Sequence, residues 1–126
     1  MVSISITRTP IIQVYVSIPR KSVLKEGVLT ADGTEQIIVE ASGILNLEGY
    51  VDLSEMVEGD RVVLRRYVKI QEGDEYKLHA SDTYSGVQAE PLVRFPFIAG
   101  YYGIKVTLQQ TAGTYKNFPY QFFKEV

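Results

Sequence analysis

The chain has no cysteine and no tryptophan, a single histidine, and no surplus of positive charge. Without cysteine there is no disulfide, no thiolate metal site and no thiol nucleophile. The lone histidine, His79, is accompanied by no G-x-S-x-G elbow, so Ser-His-Asp chemistry has no nucleophile to activate and His79 reads as strand surface. The formal net charge of -2 argues against nucleic acid as a partner, since phosphate recognition draws on a basic surplus. No G-x-G-x-x-G or G-x-x-x-x-G-K-S/T loop exists to cradle phosphates, and no N-x-S/T sequon occurs. No stretch reaches the 18 or so apolar residues of a membrane helix. The first twenty residues lack the charged start and unbroken apolar run of a signal peptide. These absences describe a soluble, non-enzymatic protein with no cofactor, no metal and no membrane span. Its acids set one limit on that reading, because two facing carboxylates are all that glycoside hydrolysis needs. Glu72, Asp74 and Glu75 cluster, but without the spacing of a calcium loop, and read as a solvated hairpin tip.

A chain of 126 residues fits one domain, and the expectation is a single domain over 1–126. What the sequence has is alternation. In "IIQVYVSI" Ile12, Val14, Val16 and Ile18 share one face. "RVVLRRYVKI" places Val62, Leu64, Val68 and Ile70 together, with Arg66 interrupting. "EYKLHA" alternates Tyr76, Leu78 and Ala80 with Lys77 and His79. "LVRFPFIA" aligns Val93, Phe95 and Phe97, and Pro96 marks an edge or a bulge. Glycine-bearing turns such as "ADGT", "EGD", "AGYYG" and "TAGT" punctuate these runs. The pattern predicts an all-β antiparallel β-sandwich, jelly-roll or immunoglobulin-like. One short helical turn is expected at 52–56, capped by Asp52 with Glu55 reaching back, its Leu53 and Met56 plugging the core. Residues 1–9 alternate as well and read as a strand-like N-terminal arm.

Near the far end, "GIKVTLQQTAGTYKNFPYQFF" sets Ile104, Val106 and Leu108 on one parity and Phe118, Tyr120 and Phe122 on another. The plain reading is a hairpin over the "TAGT" turn with both apolar faces inward. Thr107, Gln109, Thr111, Asn117 and Gln121 would then form a solvated or contact face, and Pro119 would put the last strand at an edge or bulge. Arg61, Arg65 and Lys69 form a basic stripe that pairs with acids on neighbouring strands or with an acidic partner. Nine tyrosines and five phenylalanines are the compositional anomaly. Tyr84, Tyr101, Tyr102 and Tyr115, in or beside turns, are with Gln109 and Gln121 the candidate contact surface, because tyrosine buries area at low entropic cost.

From Asp32 onward the order "DGTEQ", "LEGYVDLSEMVEGDRVVLRRYVKI", "YKLHASDTYSG", "YGIKVTLQQTAGTYKNFPYQFFK" resembles small, particle-associated β-sandwich or jelly-roll proteins of prokaryotic viruses and proviruses. The resemblance spans about residues 32–124. It implies a virion structural protein, a capsid coat, decoration or spike component working by self-association as a homo-oligomer and with other particle proteins. The site would be the virion, or the cytoplasm during assembly. The "MVEGDRVVLRRYV" stretch also has the rhythm of an immunoglobulin-like corner without its Cys…Trp…Cys set. The alternative function is a carbohydrate- or surface-ligand-binding module in which the loop tyrosines meet the ligand.

Overall fold

The computed structural model describes residues 21–43 and 46–125, Phe97 through its backbone alone. The arm at 1–9 and the strand at 12–18 lie outside the described residues. Eight strands follow in order: β1 (Lys21–Thr30), β2 (Gln36–Ala41), β3 (Leu47–Asp52), β4 (Arg61–Val68), β5 (Lys77–Ser85), β6 (Leu92–Ile98), β7 (Ile104–Ala112) and β8 (Asn117–Glu125). They form two four-stranded antiparallel sheets, β1-β8-β3-β6 and β2-β7-β4-β5, here the β8 sheet and the β7 sheet. The all-β sandwich of the sequence pattern is therefore present. Six of the seven connections pass from one sheet to the other, and only β4–β5 joins neighbours. The immunoglobulin-like order has several same-sheet hairpins, whereas the described strands have one, so their order is not immunoglobulin-like.

The last two strands do not form the hairpin expected from their sequence. Ile104, Val106 and Leu108 are fully buried, as are Phe118 and Phe122, and all join one core cluster. Both apolar faces point inward as expected, but β7 and β8 do not pair: they sit in opposite sheets and the "TAGT" turn carries the chain across. Buried Asp60, fifty residues upstream, holds that crossing. Its Oδ2 accepts from the Val57 N–H at 3.0 Å and lies 3.1 Å from Lys116 Nζ. Gly113, at φ 88, packs so closely that a Cβ would stand 2.8 Å from the Asp60 Cα. Buried Gln110 completes the turn, donating to the Ala112 and Thr114 carbonyls and accepting from the Lys116 N–H.

Burial would push the Asp60 carboxyl up, but the Val57 N–H and the Lys116 ammonium outweigh it and hold it below 3.8. A depressed folded value means the interaction stabilises above the ordinary carboxylate range and is lost as the pH falls from 3.8 through the lower folded value. Asp60→Ala should therefore cost about 2–3 kcal/mol at neutral pH, because the Val57 N–H and the partly covered Lys116 ammonium lose their charged acceptor. Urea melts should show that gap narrowing below about pH 4; a gap of equal size at pH 7 and pH 3 would contradict the assignment.

Three further expectations change. Pro119 does not mark an edge, since β8 lies between β1 and β3. It is tolerated because the β3 ladder ends one residue earlier, at Val51–Tyr120, so no β3 partner needs its missing N–H. The helical turn at 52–56 is a single hydrogen-bonded turn, Met56 N–H to Leu53 O at 3.2 Å, and not a helix. Asp52 does cap it, accepting from the Ser54 N–H at 2.8 Å, but Glu55 turns away and accepts from the Asn117 N–H at 3.1 Å. Leu53 and Met56 are buried as expected. Finally, Ile70 and Leu78 are exposed: β4 ends at Val68, and β5 is an edge strand with little to cover.

Bulges explain where alternation fails. On β2 the register shifts between Ile37 and Val39, so Ile38 and Val39 both point inward. On β6 the step from Phe95 to Ile98 opposes the shorter step from Gly49 to Leu47, so both Phe95 and Ile98 are buried. Pro96 falls inside that bulge on an edge strand, as its chemistry requires. Arg66, the interruption in β4, lays its guanidinium 5.6 Å from the Phe95 ring centre and pairs with Asp82 at 3.6 Å.

Candidate contact surfaces

The outer face of the β7 sheet carries a closed polar network. Glu35 accepts from the Tyr67 hydroxyl and from Thr107 Oγ1 at 2.6 Å, and faces Arg65 Nη1 at 3.5 Å. Arg65 donates to Gln109 Oε1 at 3.1 Å, and Gln109 Nε2 donates to the Gly33 carbonyl at 3.1 Å. Burial raises the Glu35 carboxyl, but the Thr107 and Tyr67 hydroxyls and the Arg65 charge bring it below its ordinary value. Lys105 Nζ lies 4.7 Å from the Tyr67 ring centre and 4.6 Å from that of Tyr76, and Lys69 Nζ stands 4.6 Å from Tyr76. Burial, then the hydrogen bond to Glu40, pushes the Tyr76 hydroxyl up to about 12. These groups hold one another in place across the face. Thr107, expected on a wet face, is buried beneath them. The basic stripe is divided in the same way: Arg65 pairs with an acid from β2's approach and Lys69 with an aromatic ring.

The outer face of the β8 sheet is more open. Across it runs one row of directly opposed residues: Glu26 on β1, Gln121 on β8, Tyr50 on β3 and Arg94 on β6. Gln121 Nε2 donates to Glu26 Oε1 at 2.9 Å. Glu48 pairs with Lys21 and with Arg94, the latter at 3.2 Å; the Lys21 hydrogen bond chiefly, and Arg94 after it, lower its carboxyl. On either side of Tyr50 lies a shallow recess open to solvent. One, of about 380 Å³, is bordered by Glu26, Asp52, Leu92 and Pro119; the other, of about 410 Å³, by Lys21, Val23, Arg94 and Phe123. Val23, Val28 and Leu92 are exposed on this face. Among the described residues no group of three or more His, Asp or Glu side chains could hold a metal ion, and no helix is long and apolar enough to cross a membrane.

The residues singled out from sequence fall into separate places. Tyr101 and Tyr102 form an exposed edge-to-face pair, ring centres 5.4 Å apart, in the β6–β7 loop. Tyr115 is exposed in the β7–β8 crossing, its hydroxyl packed against Gly33, whose carbonyl also receives Gln109. Tyr84 is half-buried on β5 against the core. Gln121 belongs to the other sheet. Only Tyr115 and Gln109 meet, at the turn around Gly33. Tyr50, Glu26 and Arg94 escaped sequence reading, although in "LEGYVD" the alternation of Leu47, Gly49 and Val51 with Glu48, Tyr50 and Asp52 carries the signal.

Fold and surfaces together define an all-β protein of two antiparallel four-stranded sheets with an open, mixed apolar and charged outer face. No family model and no curated protein sequence matches the chain. Among solved structures it is similar to the VP2 subviral particle of infectious bursal disease virus, with a TM-score of 0.48 and 13% identity over 87% of this chain. The match covers 33% of the VP2 chain, so this chain spans about a third of that protein's length.

Proposed function

We propose that this protein is a structural component of a virus-like particle, non-enzymatic, acting through self-association and contact with other particle proteins. The observation that carries the reading is the outer face of the β8 sheet, where exposed Val23, Val28 and Leu92 lie among charges of both signs instead of lining an enclosed pocket. Strand pairing supports it. The pairs β1–β8, β2–β7, β3–β6 and β4–β5 are those of an antiparallel ribbon wound on itself, a jelly roll, an architecture used in viral capsids and in lectins. Native mass spectrometry and sedimentation of the purified chain should reveal a stable homo-oligomer at micromolar concentration. A chain that remains monomeric at about 100 µM, a concentration that populates even weak contacts, would refute the proposal. The exposed Tyr101–Tyr102 pair favours a second reading, a carbohydrate-binding module, since a sugar can stack on such rings. A monomer that binds a glycan array and loses that binding in Tyr101→Ala would replace the first reading with the second.

A further inference from the structure

Resting on the self-association reading, we infer that two copies pack through the outer faces of their β8 sheets, related by a two-fold axis running parallel to the strands between β8 and β3. The row Glu26–Gln121–Tyr50–Arg94 begins with an acid on one edge strand and ends with a base on the other. A two-fold contact brings a surface against itself, so the position of the axis decides which residues meet. An axis across the strands would set Glu26 on Glu26 and Arg94 on Arg94, and opposed like charges repel. An axis along the strands keeps each row level and reverses its order. Glu26 then meets Arg94 of the second copy, twice over, and Tyr50 covers Gln121 of the second copy.

The neighbouring row obeys the same rule. Val28 is opposite Pro119 and Asp52 is opposite Leu92, and these two pairs continue the register one step beyond Val51–Tyr120, where the β3–β8 ladder ends. The reversal puts Val28, 61% exposed, against Leu92 of the second copy, 57% exposed, so the two most exposed apolar side chains of this row cover each other. Glu48, opposite Phe123 of the second copy, arrives already paired with Lys21 and with one guanidinium nitrogen of Arg94, and is not a bare charge. Facing sheets pack about 10 Å apart with strands nearly aligned, which this axis allows. A face four strands wide and about seven residues long covers roughly 450 Å² per copy, about 900 Å² in all, the size of a weak, transient contact. At that size the two Glu26–Arg94 pairs decide orientation and contribute to affinity together with the apolar contacts.

The test is a charge exchange read by sedimentation equilibrium. Glu26→Arg and Arg94→Glu each set like charges opposite one another and should weaken the dimer by about tenfold or more. The double variant Glu26→Arg/Arg94→Glu restores the pairing with its polarity inverted and should recover most of the affinity. Glu26 and Arg94 are exposed, but Arg94 also pairs with Glu48 of its own chain, so Glu26→Arg should melt close to the parent while Arg94→Glu and the double variant melt lower yet stay folded at the assay temperature, which separates loss of contact from loss of fold. If the parent self-associates and neither single variant changes it, this face is the wrong one and the self-association reading stands. Single variants that weaken association without recovery in the double overturn the proposed axis. A monomeric parent overturns the interface and the reading beneath it together.

Discussion

Leu108→Asp should leave no folded protein. Leu108 is completely buried on β7, opposite Leu64 of β4 and Gln36 of β2, in the centre of the core cluster. Truncating a buried leucine alone costs about 2–5 kcal/mol. A carboxylate placed there adds the cost of desolvating a charge, and its inner-face neighbours on β7 cannot relieve it. Val106 has no donor, and the Gln110 amide already serves the Ala112 and Thr114 carbonyls. Together these exceed the roughly 5–15 kcal/mol by which a domain is stable. Circular dichroism should show no cooperative melt. Gln109→Asp, one position along and on the opposite face, should still fold. A folded Leu108→Asp would mean that the faces of β7 are inverted.

Gly49→Ala should be nearly as severe, for a steric reason. Gly49 is paired with Phe122 on one side and Phe95 on the other, and those two rings lie 5.6 Å apart over it. A Cβ at this position would stand 2.5 Å from Phe122 Cδ1 and 2.7 Å from Cγ, and would also press on the Gln121 carbonyl oxygen. Phe122 is fully buried and has nowhere to go, and the carbonyl is backbone. Overpacking of this kind costs about 3 kcal/mol or more, a fall in Tm of roughly 12 °C or more for a domain of this size. Adding Phe122→Leu should return part of the loss, because the two positions share one volume. A Gly49→Ala protein melting within a few degrees of the parent would show that the rings are not seated as described.

The parts of this fold that could be read from sequence are those where alternation is unbroken. The inward faces of β7 and β8 follow from Ile104, Val106 and Leu108 and from Phe118 and Phe122 alone. Parity tells a side chain's direction but not its strand's neighbours, so the same residues were compatible with a hairpin that does not exist. The deciding contact, Asp60 with Lys116 and Gly113, joins residues more than fifty apart and leaves no local trace. Strands β1, β2 and β3 were not legible for related reasons. A bulge between Val23 and Lys25 breaks the parity of β1, another turns Ile38 and Val39 the same way, and β3 carries glycine where a core residue would be expected. That glycine is a core position, filled by a ring from the next strand. The candidate surface inherits these gaps: Gln121 was found because β8 alternates cleanly, whereas Glu26 and Tyr50 lie on strands that did not announce themselves.

The nested pairing also dictates the order in which the molecule can be completed. Loop-closure entropy rises with the length of chain enclosed, so the β4–β5 hairpin is the cheapest contact to make, then β3–β6, then β2–β7, and β1–β8 last. β8 is also the strand that bridges β1 to β3. Among the described strands β1 pairs with β8 alone, so until β8 leaves the ribosome that pair is missing and the hydrophobic interior stays open along one side. Topology of this kind makes folding slow, and it ties closure of the interior, and with it the first appearance of the finished outer face, to the nine-residue strand β8.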